Sequence, residues 1–271
     1  MPQTIVVTGA SSGLGRAAAE QFAARGDHVV VVGRDPQRLA DAVARVRAAG
    51  DGREPDQFRA DFESFDDVRA LADHLLGEYE KIDVLASNAG GMLGGYRRTG
   101  DGFEATLQSN HLGPFLLANL LRERLSGGRI VVTASNAHQR AGDPADFVSS
   151  PAGFDPFRTY GAAKAANILF AAEAARRWPD IFSVSFHPGV VATNFGAGRV
   201  VRLFYKMGTP FLVSPQKAGA LLVWLATTPE PELVDGGYYV GHRTQQPSPA
   251  AADPARAADL WDASRKAVGV S

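Results

Sequence analysis

Tyr160 and Lys164 are the residues whose types and spacing most directly suggest chemistry in this chain. In a helix, residues four apart lie on one face, so a lysine ammonium would lie beside the phenol. A phenol ordinarily has a pKa of about 10, and a nearby positive charge lowers that pKa. Such a tyrosine can give a proton to a carbonyl oxygen or take one from an alcohol. Surface helices also produce this spacing by chance, so the pair needs support from other motifs.

A glycine-rich turn spans residues 8–15, between the first apolar segment and the first helical pattern. Glycines let the backbone turn tightly and approach a pyrophosphate closely, and the N-terminus of the following helix presents free N–H groups. Serine hydroxyls in the turn add hydrogen-bond donors. The predicted phosphate-binding residues are Gly9, Ser11, Ser12, Gly13, Leu14 and Gly15.

The end of the second apolar segment favours NADP(H) over NAD. NAD-binding domains usually place an acidic residue there, about 20 residues past the glycines, to hold the ribose hydroxyls. Here Gly33 occupies that place and Arg34 follows it. A guanidinium can bind a 2′-phosphate through two hydrogen bonds, and Arg38, one helical turn on, is a second candidate for this contact. Asp35 is expected to cap the helix that begins at Pro36.

Apolar β-type segments alternate with helical patterns along most of the chain, which is typical of a parallel sheet buried on both faces. We predict an α/β fold, namely a Rossmann-type doubly wound parallel sheet of about seven strands with helices on both faces. One long helix is predicted over Phe103 to Leu125, and a surface loop over Gln246 to Pro254. The predicted strands cover 5–7, 28–32, 57–60, 82–86, 129–134, 181–186 and 237–240, and the other helices 17–24, 36–48, 65–76, 159–177 and 215–226.

The composition argues against several kinds of partner. The chain has 271 residues, 45% of them hydrophobic, which suits a single dinucleotide-binding catalytic domain over residues 1–271. Its net charge of -1 gives no electrostatic basis for binding nucleic acid. Neither a signal peptide nor a membrane span is predicted, so we expect a cytoplasmic protein. The chain has no cysteine, and its histidines are not spaced like metal ligands, so no metal site is predicted.

Taken together, these motifs resemble the short-chain dehydrogenase/reductase family over nearly the whole chain. The branch that contains retinol dehydrogenases and broad-range carbonyl reductases is the most similar, through residues 110–117, 160–170 and 187–193. The family pattern usually has Asn where this chain has Ser87, while Asn88 keeps the contact expected on the cofactor side. The motifs occur in the family's order, at Gly9, Gly13, Gly15, Asp61, 87–90, Asn110, Ser135, Tyr160, Lys164 and 188–189.

The resemblance implies a catalytic set of Asn110, Ser135, Tyr160 and Lys164. Ser135 would hydrogen-bond the substrate carbonyl oxygen. Tyr160 would donate the proton in reduction, or remove it in oxidation. Lys164 would lower the pKa of Tyr160 and hold the nicotinamide ribose. Asn110 would hold a water that links Lys164 to solvent.

The resemblance also implies cofactor contacts after the later strands. Asp61 and Phe62 would contact the adenine. Gly189 would let the backbone pass the nicotinamide, and Val191 and Thr193 would contact its carboxamide. The other implied cofactor-binding residues are Asn88, Ala89, Gly90 and Pro188, together with Tyr160 and Lys164.

Residues 195–213 follow the Pro-Gly turn, where the family usually has a mobile substrate lid. An apolar lid would exclude water and favour a hydrophobic substrate. The segment also carries basic and aromatic residues, so weak association with a membrane surface is an alternative. The long loop between Ser135 and Tyr160 could shape the pocket or cover a face used for assembly, which leaves the oligomeric state open.

The leading hypothesis is an NADP(H)-dependent oxidoreductase that interconverts a carbonyl and an alcohol on a fairly apolar small molecule. One alternative is a tailoring ketoreductase dedicated to a single biosynthetic pathway. Another is a sensor that binds the dinucleotide without turnover. Such sensors usually lose the Tyr or the Lys, and this chain keeps Tyr160 and Lys164.

Overall fold

The computed structural model describes residues 2–50, 52–148, 150–191 and 212–270. Its strands are β1 (Thr4–Thr8), β2 (His28–Gly33), β3 (Asp56–Arg59), β4 (Val84–Ser87), β5 (Arg129–Thr133), β6 (Phe182–His187), β7 (Tyr238–Val240) and β8 (Arg243–Thr244). They form one sheet in the order β3-β2-β1-β4-β5-β6-β7-β8. Paired strands are parallel, except that β8 runs antiparallel to β7.

Helices cover both faces of this sheet. They are α1 (Gly13–Ala24), α2 (Pro36–Ala49), α3 (Phe65–Glu78), α4 (Ala105–Leu107), α5 (Gly113–Leu120), α6 (Pro156–Arg177), α7 (Pro215–Thr227) and α8 (Pro254–Val268). Helices α1, α2 and α7 pack on one face, and α3, α5, α6 and α8 pack on the other. The predicted doubly wound fold is therefore confirmed.

The strands are continuous apolar runs because both of their faces are buried. In β1, Val6 belongs to the core on one face and Ile5 and Val7 to the core on the other, and all three are fully buried. Within the described residues the sheet has eight strands rather than about seven. The additional strand is β8, which has two exposed residues and is too short to produce a periodic pattern.

The prediction of one continuous helix over Phe103 to Leu125 is wrong. The structure has the short α4, then a π-helical turn over Gln108–Leu112, then α5, which ends at Leu120. Pro114 lacks the N–H group that would bond the carbonyl oxygen four residues earlier, so a regular α-helix cannot run through this segment. Single π-turns inside helices often occur at functional sites.

Helix α8 was missed, because the sequence interpretation ended in a surface loop over Gln246 to Pro254. Its boundary signals are nevertheless present. Asp253 accepts a hydrogen bond from the Ala255 N–H (2.9 Å), Pro254 is the first helical residue, and Gly269 ends the helix with a φ of 68°. An Asp-Pro pair followed by a glycine after a helical stretch is a recognised pair of start and stop signals.

Candidate active site

The strand order reverses between β1 and β4, which opens a crevice at their carboxyl ends, where doubly wound folds bind ligands. Thr8, the last residue of β1, holds the two sides of this crevice together. Its hydroxyl accepts hydrogen bonds from the backbone N–H groups of Asn88 (2.9 Å) and Ala89 (3.0 Å) and donates to the Ala86 carbonyl oxygen (3.3 Å). The Asn88 side chain donates to the Thr8 carbonyl oxygen (3.1 Å). The glycine-rich turn and the 88–90 segment are thereby fixed side by side.

Glycine is required at three points of the turn. Gly9 and Gly13 have φ angles of 66° and 57°, in the left-handed region. A Cβ on Gly15 would lie 2.5 Å from both the Gly9 carbonyl oxygen and the Asn88 side-chain nitrogen. Ser12 precedes α1, but its side chain forms no capping hydrogen bond with the helix in the described structure. The N-terminal N–H groups of α1 can therefore bind the phosphates of a dinucleotide.

Arg34 follows β2 with its side chain 61% exposed, and its guanidinium forms an ion pair with Glu63 (3.2 Å). The Arg59 side chain, at the end of β3, donates a hydrogen bond to the Arg34 carbonyl oxygen (3.2 Å). A further guanidinium that the sequence analysis did not single out thus lies beside the predicted 2′-phosphate position. Asp35 caps α2 by accepting a hydrogen bond from the Arg38 N–H (2.9 Å), as predicted.

Gly33 has no room for an acidic side chain. A Cβ at this position would lie 2.8 Å from the Ser11 Cβ atom and 3.0 Å from the Ser11 hydroxyl oxygen. The identity of residue 33 is therefore coupled to that of residue 11 in the glycine-rich turn. This packing explains in physical terms why an acid is absent from the end of β2.

Asp61 and Phe62 follow β3 in a compact turn. The Asp61 carboxylate accepts the Glu63 N–H (3.1 Å), and the Asp61 N–H donates to the Asp67 carboxylate (3.0 Å). The Phe62 side chain is buried in the core. Only the backbone of Phe62 can therefore contribute to the adenine contact that the family resemblance implies.

Ser135 lies two residues after β5 and begins a short 3-10 helix over Asn136–Arg140. Its hydroxyl accepts a hydrogen bond from the Ala137 N–H (3.2 Å). The start of α6 packs directly on this helix, since a Cβ on Gly161 would lie 2.7 Å from the Ala137 carbonyl oxygen. The turn that carries Ser135 is thus held against the residue that follows Tyr160.

His138 fixes the position of the same turn. One ring nitrogen of this buried residue, Nδ1, lies 2.8 Å from the Ser135 carbonyl oxygen, and the other accepts the Ser248 N–H (3.0 Å). Burial lowers the pKa of His138, and the hydrogen bond to Ser135 opposes this effect in part. The neutral ring with its proton on Nδ1 satisfies both contacts.

Lys164 is buried beneath the Tyr160 ring. Its side chain nitrogen lies 5.4 Å from the centre of that ring and donates a hydrogen bond to the Thr133 carbonyl oxygen (3.1 Å). Only 3% of Lys164 is exposed, and this burial lowers its pKa to about 7. A lysine with such a pKa can change its charge near neutral pH, when a neighbouring phenol gains or loses a proton.

Asn110 lies inside the π-helical turn and is fully buried. Its side-chain nitrogen donates to the carbonyl oxygens of Gly91 (2.8 Å) and Thr106 (2.8 Å). Its side-chain oxygen has no hydrogen-bond partner within the described parts of the chain. Gly90 approaches this oxygen so closely that a Cβ there would lie 2.3 Å away. The arrangement aims a buried acceptor toward the 88–90 segment at the crevice.

The segment after β6 turns sharply at Gly189, whose φ is 84°. A Cβ there would lie 2.5 Å from a methyl carbon of Val213. Val191 forms an isolated parallel bridge with Val213, so the chain before and after residues 192–211 is joined at this point. Thr193 and almost all of the predicted lid over 195–213 lie outside the described residues.

The sequence pattern of short chain dehydrogenases matches residues 3–145 of the chain. A protein of Streptomyces sp. (strain C5), assigned as a candidate daunorubicin C-13 ketoreductase (DnrU), is 49% identical over 98% of this chain and 93% of its own length. Human retinol dehydrogenase 14 is 35% identical over 99% of this chain and 87% of its own length. This chain belongs to the short-chain dehydrogenase family. The resemblance to the branch of retinol dehydrogenases and carbonyl reductases is confirmed.

Two solved structures have the same fold as this chain. A crystal structure of a protein from Mycobacterium paratuberculosis superposes with a TM-score of 0.81, at 28% identity, over 100% of this chain and 96% of that chain. A short chain dehydrogenase from Burkholderia cenocepacia, solved in complex with NADP, gives a TM-score of 0.71 at 25% identity, over 88% of this chain and 95% of that chain.

Three polar residues that support the site in this short-chain dehydrogenase were given no role from the sequence, although Thr8 opens the glycine-rich motif. Thr8 and Thr133 are the last residues of β1 and β5, and Asn167 lies one turn after Lys164. The Asn167 side chain donates to the same Thr133 carbonyl oxygen as Lys164 does (3.0 Å). The sequence signal for Thr8 and Thr133 was that each is a polar residue at the end of a run of β-branched residues. The spacing of three from Lys164 was the signal for Asn167.

Proposed function

We propose that this short-chain dehydrogenase is an NADP(H)-dependent oxidoreductase that interconverts a carbonyl and an alcohol on a fairly apolar small molecule. The observation that carries the proposal is the buried Lys164, whose nitrogen lies 5.4 Å from the centre of the Tyr160 ring. A structural role alone gives no reason to bury a lysine and lower its pKa. A role in tuning the proton affinity of Tyr160 does.

Each side chain has a task in this mechanism. Ser135 hydrogen-bonds the carbonyl oxygen of the substrate and orients it. Tyr160 donates its phenolic proton to that oxygen in reduction, or accepts the proton from the alcohol in oxidation. Lys164 stabilises the phenolate by its positive charge, and Asn110 holds a water that links Lys164 to solvent for proton exchange. When bound, the nicotinamide supplies or accepts the hydride at the carbonyl carbon.

The residues of the crevice fit a dinucleotide. The glycine-rich turn and the N-terminus of α1 would hold the pyrophosphate. Arg34, with Arg38 and Arg59 nearby, would bind the 2′-phosphate of NADP. The Burkholderia cenocepacia relative, which was solved with NADP, supports this choice over NAD. Asp61 would contact the adenine, and Pro188, Gly189 and Val191 would border the nicotinamide.

A second candidate function is a tailoring ketoreductase for one pathway substrate. The relative assigned as a candidate daunorubicin C-13 ketoreductase favours it, because the 49% identity extends over almost the whole of both chains. Reduction of a ketone would then be the physiological direction.

We also propose a cytoplasmic location. Within the described ranges, no helix is long and apolar enough to cross a bilayer.

The test is consumption of NADPH by the purified protein with a panel of aldehydes, ketones and quinones. NADH and the Tyr160→Phe variant are run beside it. Turnover that requires both NADPH and Tyr160 would support the proposal. Activity on many carbonyls would favour the general reductase, and activity on one large ketone the tailoring enzyme. Tight NADPH binding without turnover on any carbonyl, unchanged in Tyr160→Phe, would instead indicate a dinucleotide sensor.

A further inference from the structure

His111 is a fully buried polar residue that the catalytic scheme does not use. It lies in the π-helical turn next to Asn110, with three aromatic rings around it, at centroid distances of 5.9 Å (Phe115), 6.0 Å (Phe147) and 6.4 Å (Phe170). These neighbours would suit an apolar side chain equally well. The imidazole nevertheless finds polar partners on two other helices.

The hydrogen bonds of His111 assign one tautomer. Its Nε2 atom lies 2.8 Å from the Ser264 hydroxyl oxygen on α8. The Asn167 side chain on α6 raises the pKa of the ring against the effect of burial, which is the sign of an acceptor that faces an imidazole N–H. The Asn167 nitrogen donates to the Thr133 carbonyl oxygen, so its amide oxygen is the atom that accepts from the imidazole. His111 therefore donates from Nδ1 and accepts the Ser264 hydroxyl proton at Nε2. Burial lowers the pKa of His111 to about 3, so the ring stays neutral.

This chain of hydrogen bonds ends at the atom that holds Lys164. The Thr133 carbonyl oxygen accepts from the Lys164 ammonium (3.1 Å) and from the Asn167 amide (3.0 Å). A carbonyl oxygen has two lone pairs, and these two donors use both. The Thr133 hydroxyl in turn donates to the Asn88 side-chain oxygen (3.2 Å), which ties the end of β5 to the crevice.

We propose that His111 and Asn167 are positioning residues for Lys164. The series Ser264–His111–Asn167 fixes the Thr133 carbonyl oxygen, and that oxygen holds the Lys164 ammonium beneath the Tyr160 ring. Helix α8 is thereby coupled to the active site through a buried polar path. The inference rests on the role given to Lys164 in the proposed function.

The alternative is a histidine that merely satisfies polar groups in the core. A phenylalanine at position 111 would fill the aromatic surroundings without burying any polar atom. Fully satisfied polar networks in a core rigidify one arrangement of the groups that they join. Here that arrangement ends on Lys164, which is the group whose position the chemistry requires. The two explanations differ in the effect that a variant at position 111 should have on the pKa of Tyr160 and on binding of the nicotinamide end of the cofactor.

The experiment compares His111→Phe and Asn167→Leu with wild type. His111→Asn is the conservative variant, because its amide nitrogen can replace the Nδ1 donor to Asn167. Asn119→Leu is the matched control, since Asn119 is also a helical asparagine whose amide donates to a backbone carbonyl (Phe115, 2.8 Å), outside this path. Ser264→Ala removes only the outermost hydroxyl. Thermal melting checks that each variant is folded.

Three readouts are measured, and the last two, the pH profile and the pair of binding affinities, would not move for a purely structural role. His111→Phe and Asn167→Leu should lower kcat roughly ten-fold or more, since a catalytic group displaced by about 1 Å can cost up to about 100-fold. The pH profile for alcohol oxidation should shift to higher pH, because a phenol farther from the ammonium has a higher pKa. NADPH should bind several-fold more weakly, while adenosine 2′,5′-bisphosphate, which lacks the nicotinamide ribose, should bind as to wild type.

His111→Asn should recover most of the loss in kcat, of the pH shift and of the loss in NADPH affinity. Ser264→Ala should show smaller changes in the same directions, and Asn119→Leu should show none. Folded His111→Phe and Asn167→Leu variants with the wild-type pH profile and the wild-type NADPH affinity would overturn the inference. A wild-type protein without turnover would count against the proposed function instead. The two binding measurements would still decide the role of His111 and Asn167.

Discussion

The side-chain nitrogen of Lys164 lies 5.4 Å from the centre of the Tyr160 ring, and Lys164 is 3% exposed. Burial of the Lys164 charge, which would tune the phenol, therefore lowers the free energy of unfolding, because the charged group loses its water. This relationship connects the proposed catalysis to stability. It makes the site testable by unfolding measurements that need no substrate.

Lys164→Met should stabilise the cofactor-free protein while it abolishes turnover. Methionine has a similar length and brings no charge into the buried site, so the desolvation penalty disappears. At pH 7 we expect the melting temperature to rise by several degrees, since about 1 kcal/mol corresponds to roughly 2–4 °C in a domain of about this size. Differential scanning calorimetry of the two proteins measures the change.

The pH dependence of this difference has a definite sign. The unfolded chain keeps the Lys164 proton up to its ordinary pKa of 10.5, while the folded protein releases it near a pKa of about 7. Unfolding therefore takes up a proton between these values, and the stability contribution of Lys164 rises with pH across that window. Urea unfolding of wild type and Lys164→Met should give free energies that converge from pH 7 to pH 10.5. A difference that stays constant over this range would contradict the lowered pKa.

Thr8→Val should weaken the junction between β1 and the 88–90 segment. Valine keeps the shape of Thr8 but leaves the partly buried N–H groups of Asn88 and Ala89 without their acceptor. An unsatisfied buried donor costs about 1–3 kcal/mol, so we expect a loss of roughly 2 kcal/mol or more in the free energy of unfolding. NADPH affinity should fall as well. Thr8→Ser, which keeps the hydroxyl, should retain most of the wild-type stability and NADPH affinity. Equal losses in Thr8→Val and Thr8→Ser would exclude this role for the hydroxyl.

The sequence predicted the parts of the fold that depend on local patterns. Runs such as Ile5 to Val7 predicted the buried strands, and the glycines of residues 8–15 predicted the turn. The break in the helix around Asn110 was missed although Pro114 marks it in the sequence. The bond from the Asn110 side chain to Gly91 in another loop leaves no such mark. Helix α8 was overlooked although Asp253 and Gly269 mark its ends.

The catalytic set was predicted by motif, but the contacts that hold it were not. Lys164 and Asn167 lie on one helix. The carbonyl oxygen that accepts from both belongs to Thr133, which lies 31 residues before Lys164 in the chain. A backbone acceptor leaves no mark in the residue types. The pair of Ser11 and Gly33 is likewise visible only once β2 and the glycine-rich turn are packed together.

That pair yields a prediction about cofactor preference. Gly33→Asp alone should destabilise the protein and lower NADPH affinity, because its Cβ would lie 2.8 Å from the Ser11 Cβ atom. The double variant Ser11→Gly with Gly33→Asp removes this clash and places a carboxylate where NAD-binding domains hold the ribose hydroxyls. We expect the ratio of NADH to NADPH affinity to rise at least ten-fold in the double variant.

Fluorescence titration with both dinucleotides measures this ratio, and Ser11→Gly alone is the control. Arg34→Ala should lower the affinity for NADPH far more than the affinity for NADH, because it removes the group proposed to bind the 2′-phosphate. Equal effects of Arg34→Ala on both dinucleotides would exclude the 2′-phosphate contact. A double variant that is folded but as selective for NADPH as wild type would contradict the role given to residue 33.

Gly90 and Asn110 supply the last prediction. Gly90 has a φ of 135°, and a Cβ there would lie 2.3 Å from the Asn110 side-chain oxygen and 2.7 Å from its Cγ atom. Gly90→Ala should therefore push the Asn110 side chain from its place and lower kcat by about as much as Asn110→Ala does. Because both changes disable the same group, their combination should cost much less than the product of the two single effects. Gly95→Ala, in the same loop but with open space around the added methyl group, should keep wild-type kcat. Fully multiplicative effects of Gly90→Ala and Asn110→Ala would show that Gly90 acts on the reaction by a route independent of Asn110.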